Sequence, residues 1–477
     1  MGSVNVSSNH FQRGVASGIL VLSLFFSGCS ISVNNPISPK KDTPSGSSSS
    51  VASVFTKTLF VRSGASGAST GNDWNNAWGS FASVNWNAVV PGSLLCVAGG
   101  SYLESLQLQA SGTAAQRIVI RRAITADPYC GLTSQGWNAA YDAQVIIDGG
   151  TESSVVFGSS SRLGSYVTLE GQVDSGIKVI APNVDSKAGI AFLLSGADGV
   201  NLQHLEVAGP ASSSSFAYAG DVRGISAVAW GPVGPGGSFA YDSINDLAIS
   251  NCRIHGASSL LYFMNVQRGV VENSKLYDNR SSAGTSSVFQ SGSSSDAYFR
   301  FNEIWNWDAE GILLEFATAQ ARWSIYANLW HDSPTGSFAR VLDVQSVAQG
   351  PVYFYNNTIA NSTYLALSAS NGGSYSAGTS VQNNLFWNAP TGDLTAITHD
   401  YNFTDSVNTE ANGVGSGSNP FVSLATGDYH IVSTSGATYP RNKGLALSAE
   451  FDRDFAGNLR DADKDGSWDI GAYEAGP

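Results

Sequence analysis

The sequence predicts an all-β solenoid, in which short strands stack coil upon coil along one axis. A segment of the form apolar-x-x-(small or Asn)-x-apolar recurs six times between residues 249 and 386. No stretch keeps a 3.6-residue apolar period over the length that helical repeats require. Of the 477 residues, 11% are aromatic and only 13% are charged, which is unlike the composition of a disordered chain.

The repeat has one key position, which is occupied by a small or amide residue. It lies at Cys252, Ser274, Asn302, Asn328, Asn357 and Asn384, with spacings of 22, 28, 26, 29 and 27 residues. A unit this short cannot bury its apolar face alone, so we expect coils about 4.8 Å apart that pair in parallel. Stacking would line up the four Asn residues, whose amides could then bond to each other and to the turn backbone. The alternative is a simple turn preference without such a ladder.

Segments outside the repeat resemble the right-handed parallel β-helix proteins of the pectate-lyase-like superfamily. Residues 59–64, 72–74, 91–102 and 111–122 resemble their opening coils, and residues 419–422, 427–431 and 469–474 resemble a terminal segment of exported bacterial members. The resemblance implies a right-handed parallel β-helix over residues 58–400 and an irregular C-terminal cap over residues 401–477. Many chemistries share this scaffold, so the resemblance indicates fold rather than function.

The chain departs from the better-known enzymes of that superfamily. It has no Arg-x-Pro-x-x-Arg motif of pectate lyases, and it lacks the Asp-Asp pair and the Gly-His-Gly motif of polygalacturonases. No catalytic residue is therefore carried over from them.

The amino terminus has the features of an export signal. Residues 1–28 contain one base, no acid and an apolar stretch too short to span a bilayer comfortably. Residues 26–29 resemble the lipobox of bacterial lipoproteins, which implies lipidation of Cys29, and Ser30 implies outer-membrane sorting in a Gram-negative cell; ordinary signal cleavage nearby is the alternative. Residues 29–57, rich in Ser and Pro, are expected to be a linker to the membrane.

The net charge limits which partners the chain can bind, and the cysteine content indicates which disulfide it can form. The net charge is −13, and no Lys/Arg-rich run exists to form a basic face, so we exclude a nucleic-acid binder. We expect a monomer. An exported chain can form one disulfide among its remaining cysteines, and Cys96 with Cys130 is the preferred pair.

The stretch from residue 209 to residue 237, rich in Ser, Gly and Pro, interrupts the repeat. We expect an irregular coil or a projecting loop there. Because loops over a sheet face shape a groove, this stretch is a candidate groove wall.

Ionisable residues concentrate on two neighbouring coils. The candidate catalytic residues are Glu310, Glu315, His331, Arg340 and Asp343. If Ile312 and Leu314 point inward, the register that matches Leu342 to Ile312 brings Arg340 beside Glu310. The alternative is a solvated stripe of charge joined by a salt bridge between coils.

Two reactions fit this cluster. In polysaccharide β-elimination, Arg340 or Ca²⁺ would neutralise a uronate carboxylate while His331 or a carboxylate removes a proton, and Asp308, Glu315 and Asp343 could hold the Ca²⁺. In glycoside hydrolysis, two carboxylates such as Glu310 and Asp343 would act as a pair.

Aromatic and acidic residues suggest two further sites. Trp305, Trp307 and Trp330 lie on the same coils as the cluster, and an outward-facing ring would suit sugar binding. Acids at Asp461, Asp463, Asp465 and Asp469, with Gly466 between them, resemble an EF-hand calcium loop. The usual Glu at the last position is Ala472, and calcium here would cap the solenoid.

The sequence therefore predicts an exported, lipid-anchored β-helix that acts on an extended polysaccharide, with β-elimination narrowly preferred to hydrolysis. A non-catalytic surface protein that binds glycan or mediates adhesion is the rival hypothesis.

Overall fold

The computed structural model describes residues 55–150, 155–159, 162–182, 189–210, 222–229, 243–279, 286–315, 322–334, 339–345, 350–461 and 466–475. The predicted signal, Cys29 and residues 29–54 of the predicted linker lie outside this range, as do Asp463 and Asp465 of the predicted calcium loop. Of the predicted linker, residues 55–57 are described, and Lys57 already begins a strand. None of the helices in the described part has the length and apolar composition needed to cross a bilayer.

Three long sheets, which we call sheets A, B and C, run along the described part of the chain, and every strand pair within them is parallel. Between Ser93 and Ala369 each coil contributes one strand to each sheet, in the order A, B, C. The prediction of an all-β parallel β-helix is confirmed.

Sheet A contains the strands Lys57–Val61, Ser93–Val97, Ile118–Arg122, Val167–Glu170, Asn201–Gln203, Ala248–Ser250, Val270–Glu272, Ala297–Arg300, Trp323–Tyr326, Val352–Tyr355, Ser380–Gln382 and Thr398–Asp400. Sheet B contains Gly100–Tyr102, Val145–Asp148, Ile177–Ile180, Leu205–Ala208, Arg253–His255, Lys275–Asn279, Glu303–Trp307, Leu329–His331, Thr358–Ala360, Leu385–Trp387, Phe403–Thr404 and Val414–Gly415. Sheet C contains Leu106–Leu108, Val155–Ser159, Ile190–Ser195, Arg223–Val228, Ser259–Met264, Ser287–Gly292, Glu310–Glu315, Arg340–Val344 and Leu367–Ala369.

Smaller elements complete the described chain. Ile244–Asn245 pairs with Val266–Gln267 in parallel, and Phe421–Ser423 pairs with Asp428–Ile431 in an antiparallel hairpin. The 3₁₀ helices are Trp86–Ala88, Ala139–Tyr141, Leu424–Thr426 and Ala449–Phe451.

The core lies inside the three sheets. Each inward-facing strand position contributes one row of side chains, which runs from coil to coil along the solenoid. In sheet A, for example, Val271, Phe299, Ile325, Phe354 and Val381 are register partners on successive coils, and all are at most 1% exposed. Burial of each such side chain contributes about 1.5–3 kcal/mol relative to leaving it exposed. A single repeat is too short to bury these side chains, so the core forms only when successive coils stack.

The predicted asparagine ladder runs along the turn between sheets A and B. The side-chain Oδ1 of Asn328 accepts hydrogen bonds from the backbone N–H and the Nδ2 of Asn302, at 3.0 and 3.1 Å. The same pair of hydrogen bonds joins Asn328 to Asn357 and Asn357 to Asn384. The structure adds Asn402 as the next member, which the repeat pattern had missed.

The interrupted stretch after residue 209 is more regular than predicted. Arg223–Val228 is an ordinary strand of sheet C, paired with both of its neighbours. The prediction of an irregular coil is therefore wrong for these residues, whose alternating apolar side chains fill the core. Residues 211–221 and 230–237, which make up most of the rest of the candidate groove wall, lie outside the described residues.

The carboxy-terminal cap docks on the turn beside the ladder. The Ala472 N–H donates to Thr358 Oγ1 at 2.8 Å, and the Gly471 N–H donates to the Asn383 carbonyl at 2.8 Å. Phe451 packs edge-on against Tyr326 and Tyr355. At the other end of the solenoid, Cys96 and Cys130 form the preferred disulfide.

Candidate functional site

The outer surface of sheet C carries the predicted cluster. Ile312 and Leu314 point inward and are 0% exposed, and Leu342 is the register partner of Ile312. Glu310 is accordingly the partner of Arg340, and Leu313 is the partner of Asp343. The register predicted from the sequence is confirmed, because the inward apolar residues of neighbouring coils have to meet in one shared core.

Glu310 and Arg340 form an ion pair between adjacent coils. Arg340 Nη1 lies 3.2 Å from Glu310 Oε1, and both side chains are largely buried. Burial raises the pKa of Glu310; Arg340 opposes this, while the nearby charges of Asp343 and Glu315 add to it, and the resulting pKa is about 7. A carboxyl group with this pKa can hold and release a proton near neutral pH.

Asp343 lies on the same strand as Arg340, three residues later, as the register partner of Leu313, and it is 0% exposed. Its carboxylate accepts hydrogen bonds from Gln345 Nε2, Ser368 Oγ and Ser370 Oγ. These three donors compensate for burial of the charge. The hypothesis that Asp343 pairs directly with Glu310 on a substrate is corrected here, because solvent and substrate do not reach its oxygens.

Glu315 occupies the far end of the strand from Glu310. Gln290 Nε2 on the preceding coil donates to its Oε2 at 2.7 Å. The residue paired with Glu315 on that coil is Gly292, which presents no side chain. Glu315 is half-buried and so more accessible than Asp343.

His331 lies on sheet B, not on sheet C. Its Nδ1 contacts Asp332 Oδ2 at 2.9 Å, its Nε2 lies 3.5 Å from Glu303 Oε1, and its ring lies against Tyr429 of the cap at 4.7 Å. The structure therefore separates His331 from the sheet C cluster, although both occur on the same two coils. We correct its assignment from candidate base to a contact between cap and solenoid.

None of the three predicted tryptophans offers a ring face to a ligand. Trp307 and Trp330 are 0% exposed and lie in the core. Trp305 points outward from sheet B, but Tyr277 stacks on one side at 4.2 Å and His331 on the other at 5.9 Å. Coils of a solenoid are spaced so that aligned rings stack on each other, and we correct the prediction of sugar-binding tryptophans accordingly.

The repeat pattern did not find the polar residues that support the cluster. Gln290, Ser368 and Ser370 contact it from the two flanking coils. Tyr364 adds its ring 5.2 Å from the Arg340 guanidinium. Register extended by one coil would have located Ser368, since it is the partner of Asp343. Gln290 is the partner of Leu313 and reaches Glu315 from there, which register alone does not indicate.

The predicted calcium site on sheet C lies within the described residues, whereas the carboxy-terminal one is described only in part, because Asp463 and Asp465 are outside them. Within the described ranges no three His, Cys, Asp or Glu side chains are grouped so that they could hold a metal ion, and this covers Asp308, Glu315 and Asp343. Asp469 is 2% exposed, and its two oxygens accept N–H groups of Asn442 and Ala475, each at 2.6 Å. Asp461 accepts the Gly466 N–H at 2.9 Å. Asp469 thus stabilises the backbone of the cap with its own two oxygens.

No family model matches the chain, and no curated protein matches it. Among solved structures, the chain is similar to pectate lyase Pel9A, with 14% identity over 89% of this chain and 98% of that one and a TM-score of 0.49. An alginate lyase from Paenibacillus sp. str. FPU-7 has 13% identity, over 71% of this chain and 97% of that one, with a TM-score of 0.41. A GH136 lacto-N-biosidase from Eubacterium ramulus has 13% identity, over 73% and 60%, with a TM-score of 0.38. At these identities the activities of those proteins cannot be assigned to this chain. The fold assignment rests on the parallel sheets themselves.

Proposed function

We propose that the chain is a carbohydrate-active enzyme that cleaves an extended glycan on the outer surface of sheet C. The observation that carries this proposal is the Glu310 carboxyl, which is paired with Arg340, is influenced by the charges of Asp343 and Glu315, and has a pKa of about 7. Groups whose environments separate their pKa values are the usual acid and base pairs of enzymes.

Hydrolysis is the reaction that we propose. Glu310 would donate its proton to the glycosidic oxygen as the C–O bond breaks, and Glu315 would take a proton from the water that attacks the anomeric carbon. Asp343, buried beside them, would favour the protonated form of Glu310 by its charge. The preference therefore moves from elimination to hydrolysis, because hydrolysis uses only the two carboxyl groups, whereas elimination also needs Arg340 to leave Glu310 and contact the substrate.

Elimination remains the second candidate, on one observation. Arg340 forms its ion pair with a group that is neutral when protonated, so a protonated Glu310 would leave the guanidinium free to neutralise a uronate carboxylate. Glu315 would then be the base, and Glu310 would protonate the leaving oxygen.

The test is incubation of the purified protein with a panel of neutral and uronate-containing polysaccharides. Release of reducing ends without ultraviolet absorbance indicates hydrolysis, and appearance of an absorbing unsaturated product indicates elimination. The Glu310→Gln variant should lose about 100-fold or more in kcat. Glu206→Gln is the matched control, because Glu206 is also an outward, ion-paired glutamate, but on sheet B.

Two outcomes would contradict the proposal. Equal activity of Glu310→Gln and wild type would remove Glu310 from the reaction. Tight glycan binding without any cleavage across the panel would instead support the rival hypothesis of a glycan-binding or adhesion protein.

We further propose that the protein is exported and lipid-anchored at Cys29, which lies outside the described residues. The disulfide between Cys96 and Cys130 supports an oxidising compartment. Mass spectrometry of the mature protein should find a lipid-modified Cys29 at its amino terminus. An unmodified thiol at Cys29, or cleavage elsewhere, would contradict the anchor without affecting the proposed reaction.

A further inference from the structure

A buried hydroxyl lies beside Glu310 without a hydrogen-bond partner. Ser287 is the register partner of Glu310 on the preceding coil, as Arg340 is on the following coil. Ser287 is 0% exposed, and its Oγ bonds to no other group. The backbone around it is satisfied, since the Ser287 N–H donates to the Ser258 carbonyl at 3.1 Å. Only the hydroxyl is unpaired.

Arg340 carries a second unpaired donor on the opposite side of Glu310. Its Nη1 contacts the Glu310 carboxyl, but its Nε is buried and has no partner. Buried polar groups in proteins are nearly always bonded, so each exception calls for an explanation. Here two exceptions flank one carboxyl group.

The explanation lies in the charge state that the two donors favour. A protonated carboxyl group is a weak acceptor, whereas a carboxylate offers about four acceptor positions. An O–H on one side and an N–H on the other would be satisfied once Glu310 has given up its proton. These two donors would therefore favour the anion that forms when Glu310 gives up its proton, whereas burial and the neighbouring carboxylates favour the protonated acid before the reaction.

We propose that Ser287 is a positioning residue that donates a hydrogen bond to the Glu310 carboxylate after proton transfer. The proposal rests on the proposed function of Glu310 and adds a residue to it. Ser287 itself does not touch the glycan, because its side chain is fully buried.

The test compares Ser287→Ala with Ser287→Thr, which keeps a hydroxyl group, and with Ser259→Ala. Ser259 is the matched control because it occupies the same row one coil earlier and is 2% exposed, but Glu310 is not its neighbour. Loss of a donor to the carboxylate should raise the pKa of Glu310. In Ser287→Ala we expect kcat to fall about tenfold with KM unchanged, and the alkaline limb of the pH profile to move upward.

A second readout does not depend on activity. The Glu310 carboxyl carbon can be titrated by NMR in ¹³C-labelled protein, with its signal assigned from the Glu310→Gln variant. The titration midpoint should rise in Ser287→Ala and stay near the wild-type value in Ser287→Thr and Ser259→Ala. An unchanged midpoint in Ser287→Ala would overturn the role of Ser287, whether or not a substrate is found. A missing activity with a shifted midpoint would count against the proposed function alone.

Discussion

Glu410 closes the asparagine ladder by accepting two hydrogen bonds from Asn402. Its Oε2 accepts the Asn402 backbone N–H at 2.9 Å, and its Oε1 accepts from Asn402 Nδ2 at 2.8 Å. These are the two bonds that a following Asn would have provided. The carboxylate thereby supplies the last rung at the point where the repeat ends.

Replacement of Glu410 by Ala should therefore destabilise the last coils. The methyl side chain cannot accept a hydrogen bond, so the backbone N–H and the Nδ2 of Asn402 both lose their acceptor in a buried position. We expect a loss of about 1–3 kcal/mol in the free energy of unfolding, measured by urea denaturation. Replacement of the exposed Asn87 by Ala should change the free energy little, and an equal effect of both variants would contradict the role of Glu410.

Replacement of Asn328 by Ala should cost more, because Asn328 is an internal rung. Its Oδ1 accepts two bonds from Asn302, and its Nδ2 donates to the Phe299 carbonyl at 2.8 Å. The substitution leaves all these groups buried and unpaired, so we expect a loss of about 3 kcal/mol or more. A loss under about 1 kcal/mol in urea unfolding would show that water replaces the amide, and that the ladder is a consequence of the fold rather than a support.

Stability should fall as the pH rises above about 6.5, because of His331. Burial disfavours the charged imidazole, but Asp332 and Glu303 more than compensate, so the pKa of His331 is raised. A raised pKa means that this contribution is complete below the unfolded value of about 6.5 and is lost as pH rises through the folded pKa. Tyr429 and, through Glu303, Lys275 also face this group.

The measurement is the free energy of unfolding of wild type and His331→Gln at pH 5.5, 7 and 9. The variant should show a smaller decrease between pH 5.5 and 9. His204, whose pKa is raised chiefly by its bond to Glu170, should contribute a slope of the same sign, so part of the decrease should persist. At the acid end, the pKa values of Glu303 and Asp332 are lowered to about 2, so their contribution is lost as pH falls below about 4. Identical slopes for both proteins would contradict the assignment to His331.

Replacement of Trp305 by Ala should lower stability and leave glycan affinity unchanged. The ring is stacked between Tyr277 and His331, and aromatic pairs contribute about 0.5–1.5 kcal/mol each beyond burial. We expect a loss of about 2 kcal/mol or more in urea unfolding, partly restored in Trp305→Phe. Calorimetric titration with any glycan that binds wild type is the check on affinity, and a tenfold weaker affinity would restore Trp305 as a binding residue.

Replacement of Asp469 by Asn should lower the melting temperature both in calcium and in chelator. Asp469 holds two backbone N–H groups of the cap with its own oxygens, so its contribution does not depend on a metal ion. Asp461→Asn is the control from the same loop. A loss confined to calcium-containing buffer would instead support the EF-hand-like reading of residues 461–469, which stays a prediction.

The spacing of the repeat was enough to predict most of the fold. The key positions of the repeat became rungs because each apolar residue beside them has to enter a shared core, and this fixes the register of the next coil. The same reasoning correctly placed Arg340 beside Glu310. It missed Asn402 and Glu410, since the last interval is only 18 residues and breaks the spacing.

The sequence by itself determined the parallel solenoid, the line of asparagines and the neighbours across coils, because strand alternation and coil length are local properties. Only the tertiary structure decided which of these neighbours remain accessible. Asp343 is enclosed by hydroxyl groups from the next coil, the faces of Trp305 are covered by rings above and below, and His331 faces a cap that folds back from about a hundred residues later. Exposure depends on everything that surrounds a side chain, and for these residues the covering groups come from other coils and from the cap.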